Sequence, residues 1–253
     1  MDIKNLQKNW DEFGKIDPLW SIATVDEKKD NKWDLKEFFD TGVKIIDRIM
    51  GEIKSNKYLS EYNKALDLGC GVGRLTNPLG NHFKEVFGLD IAPSMIELAE
   101  KYKTSENCKF LVNGEPNLKK FNDSSVNFVI SHLTLQHMRR EYAIEYLKEF
   151  SRVLKPGGII LFNLPSHFKS LRERVDELIY PQFLRTKLHF IKQSVFSFLH
   201  LKNPTEGPMM EMNYTNKKKV IKILEKLGIK LIRSILYVDG NFVSYEYLGI
   251  KEK

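Results

Sequence analysis

From Lys64 onward, short apolar runs alternate with stretches whose apolar residues recur every three or four positions, the pattern of strands alternating with helices in a parallel sheet. The predicted strands are 64–69, 85–91, 108–113, 126–132 and 158–164. One helix is predicted to open near Gly73, one at Pro93, whose fixed φ suits a first helical position, and one to run over 141–154 with Ile144, Leu147, Phe150 and Leu154 on one side. "KPGG" at 155–158 should end that helix and turn into the next strand. A helix at 215–227 and two strand-like runs, 229–238 and 241–250, close the chain, joined through "DGN", a hairpin signal.

Two regions break this alternation. Residues 1–60 read as a helical cover: Leu6, Trp10 and Phe13 share one face, and Asp34 with Glu37 three residues on predicts a capped helix start that buries Phe38, Ile45 and Ile49. Residues 166–213 follow the fifth strand as an inserted cap, leaving 61–165 as the core and 214–253 as the closing helix and hairpin of one domain. In the cap, Leu184, Leu188, Ile191, Val195 and Phe198 fall on one helical face, with Arg185, Lys187, Lys192 and His200 largely elsewhere. Such a face suits a lid, a subunit contact, or a membrane-surface contact through 183–201.

Composition narrows the class. With 42% hydrophobic and 29% charged residues the chain is that of a soluble globular protein, and no run approaches the roughly 20 apolar residues of a membrane span. The polar start "MDIKNLQKNWDEF" carries no export signal, so a cytoplasmic protein is expected. Two cysteines, Cys70 and Cys108, are too few for a disulfide framework or a structural zinc site. The net charge of +7 comes from lysines spread along the chain, and "KKK" at 217–219 has no interleaved aromatics, so no nucleic-acid partner is expected.

The chemistry concentrates at "KALDLGCGVGRL", 64–75. Glycines 69, 71 and 73 fall where a strand hands over to a helix, so backbone N–H groups could approach a ligand and point at its negative end. Asp90 ends the next strand, roughly 20 residues on, where a carboxylate can accept hydrogen bonds from ribose hydroxyls. Dinucleotide enzymes share that device, but their G-x-G-x-x-G fingerprint fails here in both registers, against Arg74 and Thr76.

The loop reads D-x-G-x-G-x-G instead, and with "VFGLDIAPSMIELAEKY", "FLVNGEP", "VNFVISHLTLQHM" and "VLKPGGIILFNLP" the region 64–165 resembles the class I S-adenosylmethionine-dependent methyltransferases. The resemblance implies a doubly wound, Rossmann-like α/β fold with a seven-stranded sheet, its last strand antiparallel. It also implies S-adenosyl-L-methionine as cofactor and methyl transfer to a small organic acceptor at oxygen or nitrogen. By the same likeness Asp67 would orient the loop and meet the methionine amino group, and Gly69, Gly71 and Gly73 would admit the methionine part and ribose. Asp90 would hold the ribose diol, with Ile91 and Met95 against the adenine. Asn113, Gly114 and Glu115 would flank the adenine edge, where many relatives place an Asp, and Ser131 and His132 would stand beside the methyl donor.

"SHLT" after the fourth strand lacks the Asn/Asp-Pro-Pro-aromatic motif of amide and nucleobase enzymes, and "NLPS" at 163–166 follows the fifth strand instead. No carboxylates cluster near that point, so no metal is expected. His132 is the candidate general base and His137 reads as structural. Trp10, Trp20, Trp33 and Tyr214 are candidate acceptor contacts, although residues of this kind more often belong to a core. A noncatalytic cofactor-binding module, a nicotinamide-dependent oxidoreductase, and a methyltransferase for a lipid or macromolecular acceptor are the competing readings.

Overall fold

The computed structural model describes residues 1–168, 207–239 and 242–252. Most of the expected cap, with the apolar face expected at 184–198, lies outside the described residues, as do Gly240 and Asn241 of the expected hairpin turn.

Among the described residues the sheet has seven strands: β1 (Lys64–Leu68), β2 (Glu85–Asp90), β3 (Cys108–Val112), β4 (Val126–Ser131), β5 (Leu154–Phe168), β6 (Ile229–Asp239) and β7 (Phe242–Lys251), in the spatial order 3-2-1-4-5-7-6. The first five pair in parallel, whereas β7 runs antiparallel to both β5 and β6. The chain order reverses between β1 and β4, so the crevice beyond the carboxyl ends of these strands is the place a doubly wound sheet offers a ligand. Every residue of β4 is buried, as a central strand covered on both faces requires.

Two apolar layers sandwich the sheet. On one face α3 (Leu35–Ser55) buries Ile46, Ile49, Met50 and Ile53 beside Ile96 and Ala99 of α5 (Pro93–Lys101). On the other, α6 (Arg140–Val153) buries Leu147 and Phe150, and α7 (Lys217–Lys226) buries Val220 and Leu224. Helix α3 starts as expected, with Asp34 accepting from the Glu37 N–H at 2.8 Å. Its buried stripe runs 38, 42, 46 and 49, so Ile46 is the core residue and Ile45 is half-buried, one position off the expectation.

Two other boundaries differ. Only a single turn, α4 (Thr76–Leu79), follows the glycine loop. "KPGG" lies inside β5, where the pairing with β4 shifts register between Val126 and Phe128, because Gly157 at φ +78° lets the extra residues bulge without leaving the sheet.

The cover is tied to the core by specific polar contacts. α1 (Ile3–Ile16) presents Asp11 to the first turn of α5, where its carboxylate accepts from the Ser94 N–H at 2.8 Å. Gln7 donates to the Ile91 carbonyl at 2.9 Å. Asn9 exchanges two hydrogen bonds with Met209, 3.0 and 2.8 Å, which fixes the 207–215 strap against α1. The short α2 (Pro18–Ile22) follows, opened by Asp17 and Pro18.

Candidate active site

A cavity of about 930 Å³ opens at the carboxyl ends of β1, β2, β4 and β5, roofed by α1, α2 and the strap. That is the upper end of the roughly 300–1,000 Å³ usual for ligand sites, with room for a nucleotide-sized group and a second molecule. Of the residues expected at the site, Gly69, Gly71, Asp90, Ile91, Met95, Asn113 and His132 line it.

One end is built from the glycine loop and Asp90. Gly69 and Gly71 sit at φ +76° and +53°, and Cβ atoms there would lie 2.1 Å from the Thr134 hydroxyl and 2.4 Å from Ile22, so the loop is both left-handed and closely packed. Four of the loop's N–H groups are not left for a ligand as expected. Gly69 and Cys70 donate to the Leu89 carbonyl, Gly73 donates to Cys70, and Gly71 donates to Asp90 Oδ2 at 2.9 Å. Asp90 Oδ1 accepts from the Ala92 N–H, also at 2.9 Å. Of the loop amides only that of Gly71, together with the Ala92 N–H, aims the carboxylate, which burial holds above the usual aspartate range against the pull of those two donors.

Five expected residues do not line the cavity. Asp67 is buried, accepts from Thr76 Oγ1 at 2.7 Å, and is pushed up to about 7, first by burial. Ser131 is buried and donates to the Leu68 carbonyl, Gly73 packs on Phe110, and Gly114 faces Gln7. The Glu115 carbonyl accepts from Asn113 Nδ2 and from the Tyr146 hydroxyl, both at 2.9 Å, so the Asn113 amide locks its own loop.

The other end is assembled from distant elements. His132, just past β4, lines the cavity while its Nδ1 is buried without a partner, and burial, with Arg74 nearby, lowers its pKa to about 3. Arg48 of α3 makes a two-pronged pair with Glu246 of β7, at 3.0 and 2.7 Å. Glu246 also pairs with Arg233 at 3.0 Å, and Arg233 in turn with Glu52 at 2.6 Å. His137 Nδ1 lies 2.9 Å from the Glu211 carbonyl and its ring 5.1 Å from Trp10, joining the strap to α1.

Trp10 faces the cavity, whereas Trp20 and Trp33 donate to the Val25 and Ala23 carbonyls, and neither they nor Tyr214 line it. Arg48, Thr134, Gln136, Asn163 and Glu246 line the site and were not expected there. The one available signal was a polar or charged residue inside an apolar run, as in "LFNLP" and "SYEYLGI".

Residues 66–162 match the model of a methyltransferase domain. A demethylmenaquinone methyltransferase of Staphylococcus aureus is 30% identical over 197 residues, covering 75% of this chain and 76% of that one. The chain belongs to the class I S-adenosylmethionine-dependent methyltransferases. Two solved structures share its fold. The magnesium protoporphyrin IX methyltransferase of Synechocystis PCC 6803, with bound SAH, is 16% identical over 99% of this chain and 100% of that one, with a TM-score of 0.63. A SAM-dependent methyltransferase of Methanosarcina mazei is 21% identical over 78% of this chain and 96% of that one, with a TM-score of 0.56. The cofactor of this methyltransferase is S-adenosylmethionine. The donor set fits it: one aimed carboxylate facing the cavity, with apolar Ile91 and Met95 beside it. No described helix is long and apolar enough to cross a membrane.

Proposed function

We propose that this methyltransferase acts on a small organic acceptor with a largely apolar body, at oxygen or nitrogen and without a metal. The observation that carries this reading is the lining of the cavity, where the Asp90 carboxylate stands among apolar side chains that include Trp10, Met138, Met210, Met212 and Ile235. Methionine and aromatic walls suit an apolar molecule of irregular shape. Ile235 and Val238 line the cavity yet stay 45% and 51% exposed, so the apolar wall continues outward along β6. The quinone named for the Staphylococcus relative is in keeping with such an acceptor. Among the described residues no three His, Cys, Asp or Glu side chains cluster as metal ligands.

In this reading Asp90 holds the ribose diol, Gly69 and Gly71 give close backbone approach, Ile91 and Met95 flank the adenine, and Asn113 with Gly114 and Glu115 shapes its edge. Asp67, Gly73 and Ser131 act from behind, by fixing the loop. Bound S-adenosylmethionine supplies an electrophilic methyl group on a positively charged sulfur. The protein's contribution is chiefly to hold the acceptor in line, for which orientation is worth about 7–11 kcal/mol. His132 is neutral at pH 7 and weakly basic, so it serves as the base for an acceptor that already surrenders its proton readily. The cover (1–60) and cap (166–213) make up the acceptor side of a single domain in this proposal.

Calorimetry should detect S-adenosylhomocysteine binding and no NAD binding. A panel of phenols, amines and carboxylates incubated with labelled S-adenosylmethionine should then yield a methylated product. Tight NAD binding with no response to the sulfur nucleotide would sink the proposal.

A further inference from the structure

Three strands bring three polar side chains side by side at the end of the cavity away from Asp90. Ser131 of β4 pairs with Phe162 of β5, so His132 and Asn163 are the next residues along those two strands, and Asn163 pairs in turn with Glu246 of β7. Neighbouring strands lie about 4.8 Å apart, and all three residues line the cavity. Asn163 is only 2% exposed. Its Oδ1 is buried without a hydrogen-bond partner, and so is His132 Nδ1. Buried polar atoms are partnered in the great majority of cases, and two orphans on one row mark where a missing group belongs.

The far side of the row is already charge-paired. Both Glu246 oxygens accept from Arg48, and Arg233 stands 3.0 Å from one of them. Glu246 is therefore a clamp for Arg48 and not a reader of the ligand. Arg48 spends two of its five N–H donors on that clamp and still faces the cavity, with the guanidinium plane fixed. The row thus offers an unpartnered acceptor at Asn163, an unpartnered ring nitrogen at His132 and unspent donors at Arg48. A hydroxyl group is the simple neutral group that answers both, since it donates one hydrogen bond and accepts others.

We propose that Asn163 is a specificity-determining residue of the acceptor site and that the acceptor presents a hydroxyl to it, the hydroxyl donating to Asn163 Oδ1 and accepting from Arg48. This rests on the methyltransferase reading above and adds the chemistry of the acceptor's head.

The test uses the whole protein loaded with S-adenosylhomocysteine, whose own binding is measured first; if that nucleotide does not bind, the reading of the cavity fails before the acceptor enters. β-Naphthol, its methyl ether and β-naphthoate are then titrated separately. β-Naphthol should bind about tenfold more tightly than the ether, which cannot donate. In Asn163→Leu that ratio should fall to about one while nucleotide affinity stays unchanged; Asn163→Ala serves if the leucine variant does not fold. Failure of β-naphthol to bind, equal binding of naphthol and ether, or a tenfold ratio that survives both substitutions would each overturn the proposal. A preference for the naphthoate would overturn it in another way, by making Arg48 the reader of an anion.

Discussion

The two ends of the cavity are built by opposite strategies. At the cofactor end the working parts lie close in sequence: Gly69 to Gly73 follow β1 and Asp90 ends the adjacent β2, and the hydrogen bond that joins them spans 19 residues. At the acceptor end the parts come from α3, β4, β5 and β7, and the clamp between Arg48 and Glu246 spans 198. A site made from one loop and one strand end leaves a spacing that can be read along the chain. A site made by sheet pairing leaves only isolated polar residues in apolar runs, which become a group once the strand order is known.

The strongest way to break this contrast is Asp90→Ala. Two hydrogen bonds from ribose hydroxyls to an ionised acceptor are worth about 1.5–3 kcal/mol each, so S-adenosylhomocysteine affinity should fall by at least about a hundredfold. The variant should also melt earlier, because the Gly71 and Ala92 N–H groups lose their acceptors. An unchanged dissociation constant by calorimetry would move the ribose away from Asp90.

The corresponding cut at the other end is Glu246→Gln. It keeps the shape and removes the charge that Arg48 and Arg233 share. Breaking a buried pair costs about 3–5 kcal/mol. With the Arg48 side chain 48% exposed, a loss of about 2–3 kcal/mol in urea unfolding is expected here. Nucleotide affinity should change less than about twofold. A large loss of nucleotide binding in this variant would mean that the two ends are not independent.

How much of the molecule the chain announces follows the same division. The strands of the core were legible to within a residue or two at most ends because central parallel strands are short apolar runs with sharp polar borders. Residue 158 was too late a start for β5 because glycines that usually end an element here make a bulge within one. The glycine loop and Asp90 were legible as a pair. That the loop's amides are consumed by Leu89, Cys70 and Asp90 was not, since hydrogen bonds of a loop depend on what the neighbouring strand presents. Asn163 and Glu246 looked like ordinary strand residues, and only their register across β5 and β7 makes them one wall.

The smallest expected effect sharpens the comparison most, because it isolates the electrostatics of the acceptor end in the protein alone. His132 has a folded pKa of about 3, mainly through burial, against about 6.5 unfolded. Between those values the unfolded chain binds a proton that the folded chain refuses, so its linkage makes stability fall as pH is lowered below about 6.5. At 1.36 kcal/mol per pH unit the loss at pH 5 is about 2 kcal/mol. Asp67 works the other way in the same window: its folded pKa of about 7 lies above its ordinary 3.8, so the folded chain keeps a proton the unfolded one releases, and stability rises as pH falls. The two slopes oppose each other, and the wild-type curve alone reports neither. The difference between wild type and His132→Asn does, because Asp67 cancels. That difference should shift by about 2 kcal/mol between pH 8 and pH 5 in favour of the variant, measured by urea unfolding without nucleotide. Parallel curves would mean that His132 is solvated and titrates normally. In that case an acidic limb of activity belongs near pH 6.5 rather than far below it, and the acceptor end is a wet pocket instead of a dry wall.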